Sequence, residues 1–172
     1  MQKQLIMPDY DWSKFTQKIN INAPIEAIYN AWTLPEQLEK WFLREANFKR
    51  SNGTEREKFL HIQRGDSYKW LWHGHSDDAI EEGEVLLAND KDKLQFSFAG
   101  GGIVTVDIGD AIGENIVMLT QEKIPTDEEG KVKYHLGCLT GWTFYLANLK
   151  SFLEGGVDLR NKNPELINVI NA

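Results

Sequence analysis

The segment from His135 to Glu154 carries the strongest signal in the chain, that of an amphipathic helix about five turns long. Its large apolar residues recur at alternating steps of three and four, which places them on one stripe of a helix. They are Leu139, Trp142, Leu146, Leu149 and Leu153. A helix with one apolar stripe needs a surface that covers the stripe, so the rest of the chain must supply that surface.

The residues before this helix predict an antiparallel sheet. Short extended runs alternate with turn signals, and we assign six strands near residues 55–63, 67–75, 79–88, 93–99, 102–109 and 115–123. Successive strands that are joined by short links run antiparallel to each other. The clearest alternation places six apolar side chains on one face, which should point at the helix: Leu94, Phe96, Phe98, Val104, Val106 and Ile108.

Further elements precede this sheet. Residues 15–21 alternate as a first strand, and Pro24 begins a short helix that runs to about Trp32. A second short helix covers about residues 36–43. At the other end of the chain, Gly155 should end the long helix, because glycine readily adopts the left-handed conformation that closes a helix.

These elements predict one domain of the α+β class, with an antiparallel sheet wrapped around the long C-terminal helix and two short helices after the first strand. A length of 172 residues is ordinary for a single domain, and we assign residues 1–172 to it. The core should cover about residues 15–155, with an N-terminal arm at 1–14 and a polar C-terminal tail at 156–172. Such a geometry can leave a cavity between sheet and helix.

Composition and charge argue against several classes of function. The chain has 19 basic and 26 acidic residues, a formal net charge of -7, and its basic residues are scattered, which disfavours nucleic-acid binding. The single cysteine, Cys138, cannot form an internal disulfide, so we expect a reducing compartment. No stretch approaches the roughly 20 apolar residues of a membrane span. We therefore expect a soluble, cytoplasmic protein.

Three stretches of sequence narrow the fold further. They are residues 21–42, which end in Glu-Lys-Trp-Phe, residues 93–98, and Gly141-Trp142 followed by Leu146 and Leu149. Together with the order of the elements, these stretches resemble the helix-grip fold of the START-like superfamily, which includes birch-pollen-allergen proteins and polyketide cyclases. Within it, they are similar to the branch homologous to the C-terminal domain of the activator of the heat-shock protein 90 ATPase. The resemblance covers about residues 15–155.

Two departures from this branch bear on function. Leu43-Arg44 follow Phe42 where the branch often has Gly-Pro, so we expect a different cavity rim near this helix. The eukaryotic activator also has a separate N-terminal domain that engages the chaperone, and 172 residues leave no room for one. The resemblance therefore implies a fold more strongly than an activity.

The resemblance implies a non-catalytic binding module that holds a hydrophobic small molecule, such as a lipid, a sterol or a polyketide-like compound. The first alternative is a regulator of a chaperone ATPase, which would act through protein contacts in a stress response. The second alternative is a cyclase-like or hydrolase-like enzyme. We predict no cofactor, and the sequence leaves open whether the chain is a monomer or a homodimer.

The predicted binding residues are the apolar side chains that should face each other between sheet and helix. They are Tyr68, Trp70, Trp72, Phe96, Phe98, Val104, Val106, Leu139, Trp142 and Leu146. Rings and branched side chains of this kind line most ligand pockets. The same residues also fill solid cores, and the sequence leaves both outcomes open.

One pair of histidines suggests metal binding. His73 and His75 lie two residues apart on a predicted strand, with Asp77 and Asp78 just beyond them. A zinc site needs three or four ligands, and no second cluster of ligand residues is visible in the sequence. We therefore predict no metal site and expect a polar outer face instead.

Two further patterns suggest catalysis, and each has a plainer explanation. Cys138 and His135 lie within one helical turn, but a lone cysteine on an apolar stripe usually packs as a small hydrophobic residue. Glu81 points away from Glu82 and Glu84 on its strand, which favours a solvated acidic strand over an acid/base pair. We therefore predict no catalytic residues.

Overall fold

Within residues 9–171 the fold has seven antiparallel strands, three α-helices and one π-helical segment. The computed structural model describes residues 9–171. Its strands are β1 (Phe15–Asn20), β2 (Glu45–Lys49), β3 (Ser67–Leu71), β4 (Ile80–Ala88), β5 (Lys93–Phe98), β6 (Gly102–Ala111) and β7 (Glu114–Glu122). Its helices are α1 (Ile25–Thr33), α2 (Pro35–Trp41) and α3 (Gly137–Leu153). The strands form one sheet in the order β1-β7-β6-β5-β4-β3-β2, so the predicted α+β fold class is confirmed.

The sheet packs one apolar face against α3. The six side chains predicted to point at this helix all belong to the core cluster, five of them buried and Phe98 partly buried. Cross-strand pairing keeps them together, because Phe96 lies opposite Val104 and Leu94 lies opposite Val106. Apolar side chains that face each other in this way are the unit that stabilises a sheet.

The long helix follows its predicted stripe. Trp142, Leu146 and Leu149 are buried, and Leu139 and Leu153 are partly buried against the same core. The helix ends where the sequence predicts, since Gly155 has a φ of +79°, in the left-handed region. Within residues 9–171, no helix has the length and apolarity that crossing a membrane requires.

The chain enters α3 through a π-helical segment, Gly130–Leu136, whose first five residues precede the helix that the sequence predicts from His135. The charged side chains of this segment are compatible with a helical turn because they point outward. Lys131 pairs with Glu128 at 2.9 Å. Glycine is required at its start: a Cβ at position 130 would lie 2.0 Å from the carbonyl oxygen of Pro125. A π-helical turn next to an α-helix is uncommon and frequently marks a functional site.

One predicted strand is wrong. Residues 55–63 form turns and irregular chain, and the strand that extends the sheet beyond β3 is β2. Only Ala46 and Phe48 of β2 are buried, between charged or polar neighbours, so its alternation is too short to recognise in the sequence. The irregular connection is held instead by an ion pair between Arg56 and the buried Asp66.

The C-terminal tail is less polar and better anchored than its sequence predicts. The guanidinium of Arg160 is buried, pairs with Asp158 at 2.8 Å and donates to the carbonyl oxygen of Leu43 at 3.0 Å, just beyond α2. Asn171 donates to the carbonyl oxygen of His73 at 2.9 Å. Between these anchors the tail exposes Leu166, Ile167, Val169 and Ile170.

The described part of the N-terminal arm contacts the π-helical segment. The Tyr10 hydroxyl lies 2.7 Å from Nε2 of the buried His135, and Nδ1 of the same ring lies 2.8 Å from the carbonyl oxygen of Trp12. The rings of Tyr10 and Trp12 meet the imidazole edge to face. Residues 1–8 of the predicted arm lie outside the described residues.

Candidate functional site

A cavity of about 290 Å³, which we call the α3 cavity, lies between the first half of α3 and the aromatic end of the sheet. Four parts of the chain form it: the residue after α2, the turn after β3, the end of β5 and the first half of α3. Its lining residues are Phe42, Trp72, His75, Phe98, Gly137, Cys138, Gly141, Trp142 and Tyr145. His75 is exposed, so the cavity meets solvent at this residue.

Two glycines of α3 contribute no side chain to the wall of the cavity. Gly137 and Gly141 lie one turn apart on the same face as Cys138, Trp142 and Tyr145. An added Cβ at position 137 would have no neighbour nearer than 3.6 Å. The absence of side chains at these two positions leaves the cavity wall open there.

Phe42 is the centre of the aromatic wall. Its ring centroid lies 5.2 Å from that of Trp142, 4.9 Å from that of Tyr145 and 5.9 Å from that of Trp72. The ring centroid of Phe98 lies 5.3 Å from that of Trp142. Aromatic pairs at such separations stabilise each other by about 0.5–1.5 kcal/mol beyond the area they bury. The wall is therefore largely preformed.

Three of the ten predicted binding residues lie together in this wall, namely Trp72, Phe98 and Trp142. Leu139 is partly buried on the same helix. The other six fill the core: Tyr68, Trp70, Phe96, Val104, Val106 and Leu146. Both arrangements that the sequence left open are therefore present, a cavity at one end and a solid core at the other. The role of these residues in binding stays a prediction.

Sequence reasoning missed six lining residues: Phe42, His75, Gly137, Cys138, Gly141 and Tyr145. Gly137 and Gly141 carried only a weak signal, since two glycines one turn apart leave a helical face without side chains, but that face lies beside the apolar stripe and not on it. Tyr145 also falls near the stripe, three residues after Trp142. Phe42 and His75 had no such signal, since tertiary packing alone brings them to α3.

The polar atoms of the lining rings are mostly used within the protein. Trp142 donates its indole N–H to Oε1 of Gln121 at 2.9 Å, and the Tyr145 hydroxyl donates to the carbonyl oxygen of Asn171 at 3.2 Å. Burial raises the pKa of the Cys138 thiol, an effect that Gln121 opposes and the charge of Glu81 reinforces. The cavity thus presents apolar surface, a protonated thiol and the imidazole of His75.

Glu81 lies on the inner face of the sheet, unlike its neighbours on β4. It pairs across the strands with the buried Trp70, while Glu82 and Glu84 are exposed. Its Oε1 accepts a hydrogen bond from the backbone N–H of Ala99 at 2.7 Å. Burial raises the pKa of the Glu81 carboxyl, and the hydrogen bond from Ala99 partly opposes that rise. The predicted solvated acidic strand therefore holds for two carboxylates and not for the third.

The histidines near the cavity do not form a metal cluster. β3 ends at Leu71, so His73 and His75 lie in the following turn rather than on a strand. Within the described chain, residues 9–171, no three His, Cys, Asp or Glu side chains are grouped to hold a metal ion. Burial and the nearby cationic side chains, chiefly Arg160, lower the pKa of His73.

Cys138 and His135 do not act on each other. Both ring nitrogens of His135 are engaged, by the Tyr10 hydroxyl and the Trp12 carbonyl oxygen, on the side of the N-terminal arm. Cys138 instead faces the α3 cavity, where burial keeps its thiol protonated. A protonated thiol is a poor nucleophile. The pair therefore lacks the contact that a cysteine nucleophile and its base require.

Comparison with known structures places the fold in a wide group of proteins. Protein SSP2350 from Staphylococcus saprophyticus is 21% identical, with a TM-score of 0.64 over 86% of this chain and 96% of that chain. The Aha1 dimer from Colwellia psychrerythraea is 19% identical, with a TM-score of 0.63 over 83% and 97%. DynU16, a protein in the dynemicin biosynthetic locus, is 18% identical, with a TM-score of 0.61 over 86% of this chain and 48% of its own.

Comparison with curated protein sequences finds no match. A family model does match: the model for Activator of Hsp90 ATPase homolog 1-like protein covers residues 22–154, from the turn before α1 to the end of α3. This range is more than half of the chain and contains the stretches that suggested the family from sequence. The chain therefore belongs to the family of Activator of Hsp90 ATPase homolog 1-like proteins.

Proposed function

We propose that this protein is a binding module that holds a small, ring-bearing, largely apolar molecule in the α3 cavity. The observation that carries the proposal is the cavity itself, which has five aromatic residues among its nine lining residues. A preformed concave space with apolar walls and few polar groups is the usual form of a small-molecule site.

The size of the cavity narrows the ligand class. An apolar cavity of about 150 Å³ holds one benzene ring. The α3 cavity has about 290 Å³, so a two-ring system fits it, whereas a complete sterol would need the walls to move apart. Trp72, Phe98 and Trp142 present aromatic rings to the cavity, and such rings pack well against planar ligands. A flat aromatic compound is therefore favoured over a long lipid.

Family and fold are compatible with such a role. DynU16 shares the fold and lies in a biosynthetic locus, so this fold occurs where metabolites are made. Affinity at the α3 cavity should come mainly from apolar burial, at about 25 cal/mol per Å² before the costs of ordering the ligand. Binding should therefore depend little on salt concentration.

Calorimetric titration with naphthalen-2-ylmethanol, a neutral two-ring probe, tests the proposal. Replacing Gly141 with Leu should fill the cavity and abolish binding. Thr140→Leu is the matched control, because it adds the same side chain to the exposed face of the same helical turn. Native mass spectrometry of the freshly purified protein adds a second test, the presence of a co-purified small molecule.

Equal binding by the wild type and Gly141→Leu, with both proteins folded by circular dichroism, would place the probe outside the α3 cavity. Absence of binding by any two-ring probe, together with no co-purified molecule, would remove the proposed function.

Regulation of a chaperone ATPase is the second candidate. The family name and the Aha1 dimer among the structural neighbours favour it. In this case the purified chain should raise the ATP turnover of its host's chaperone of that class. An unchanged turnover at saturating concentration would reject this candidate, and sedimentation would show whether the chain also forms a dimer.

A further inference from the structure

The charged and titratable groups in and near the α3 cavity indicate which ligand charge it would accept. No lysine or arginine is among its lining residues, and its lining groups that can titrate are His75, Cys138 and Tyr145. Glu81, on β4, turns its carboxylate toward the inner face of the sheet near this space. It makes no ion pair with any residue between 9 and 171.

Glu81 is not itself a lining residue, and three observations place its carboxylate near the cavity. Its hydrogen-bond donor, Ala99, directly follows the lining residue Phe98. Its cross-strand partner, Trp70, packs with its ring centroid 6.3 Å from that of Phe98 and 6.4 Å from that of Trp72. Its negative charge also raises the pKa of the Cys138 thiol, on the opposite wall.

A half-buried carboxylate with a single hydrogen bond is poorly compensated for its lost water. A ligand cation would compensate it, and aromatic faces attract the same cation through their quadrupoles. Phe98, Trp72 and Trp142 supply such faces in the cavity wall. An anionic ligand would be repelled by the carboxylate and would find no lysine or arginine in the wall.

We propose that the α3 cavity selects ligands that join a ring system to a protonated amine, with the rings against Trp72, Phe98 and Trp142 and the ammonium group toward Glu81. This inference rests on the proposed function and makes Glu81 its determinant of specificity.

Three probes with the same two rings test the inference: naphthalen-2-ylmethylamine, naphthalen-2-ylmethanol and 2-naphthoate, which are cationic, neutral and anionic at pH 7. The wild type should bind the amine about tenfold or more tightly than the alcohol, since a hydrogen bond to a charged group adds that much affinity. The carboxylate should bind most weakly. Calorimetry gives the three dissociation constants.

Glu81→Gln should reduce the preference for the amine to within about twofold and leave the affinity for the alcohol nearly unchanged. Glu82→Gln is the matched control, because it removes the same charge from the exposed face of the same strand and should keep the preference. Should Glu81→Gln fold poorly, Glu81→Asp serves as a second variant. Its carboxylate is one methylene shorter, so its preference for the amine over the alcohol should be smaller than that of the wild type.

The outcomes separate the two proposals. Equal affinities of the wild type for amine and alcohol would overturn the role of Glu81 and leave the binding function standing. A preference that survives in Glu81→Gln would overturn it as well. Failure of all three probes to bind would reject the proposed function itself.

Discussion

The first half of α3 lies over a cavity, whereas its second half lies on a filled core. In the first half, Gly137 and Gly141 turn no side chain toward the sheet. In the second half, Leu146 and Leu149 are buried, and the buried Asn148 donates to the carbonyl oxygen of Trp41 at 2.6 Å. The two halves of one helix thus pack differently: the first half lines a cavity, and the second half is covered by the core.

The sheet shows the same contrast on β3 and just beyond it. Trp70 is buried, whereas Trp72 is partly exposed at the cavity. Trp70→Ala should lower the free energy of unfolding by about 3–5 kcal/mol, the usual loss for a buried tryptophan. Trp72→Ala should cost about 1–2 kcal/mol, because one side of its ring already lacks packing partners. Denaturant titration measures both, and similar losses would mean that the cavity wall is packed as tightly as the core.

On the helix, Leu149→Ala should cost about 2–5 kcal/mol because the side chain is fully buried and leaves a cavity. Leu139→Ala, on the first half of the helix, should cost distinctly less, since Leu139 is only partly buried. The denaturant midpoints of the two variants give the difference. A larger loss for Leu139→Ala would reverse the comparison between the two halves.

The sequence predicted the filled half better than the cavity. Regular spacing identified the stripe of α3 and the alternating residues of β5 and β6, because packing there follows the periods of helix and strand. The cavity depends on Gly137 and Gly141, which lie off the stripe, and on Phe42, which packing brings to α3 from a distant position. The strand β2, with two buried residues, and the buried anchor Arg160 in a polar tail also follow from tertiary contacts.

Two glycine-to-alanine variants test, with a smaller expected effect, whether the first half of α3 is loosely packed. Gly137→Ala should raise the free energy of unfolding by about 0.5–1 kcal/mol, because alanine favours the helix and the new methyl group meets no close neighbour. Gly130→Ala, at the start of the π-helical segment, should destabilise the protein, since its methyl group would collide with the Pro125 carbonyl. Thermal unfolding distinguishes the two signs. Destabilisation by Gly137→Ala would mean that the first half of α3 has no spare space.

The smallest expected effect is a pH dependence of the free energy of unfolding. Measuring it tests whether the Glu81 carboxylate, near the cavity, is poorly compensated for its lost water. Because burial raises the pKa of Glu81 in the folded protein, the folded state binds a proton more readily there than the unfolded state does. Ionisation of Glu81 therefore lowers the free energy of unfolding. This loss begins as the pH rises through the ordinary pKa of 4.5 and is complete above the raised pKa of the folded state. Below pH 4.5 the loss disappears. Glu81→Gln should equal or exceed the wild type in stability at pH 8 and lose that advantage at pH 4. Glu82→Gln should change little at either pH, and a pH-independent difference for Glu81→Gln would show that its carboxylate is already well solvated.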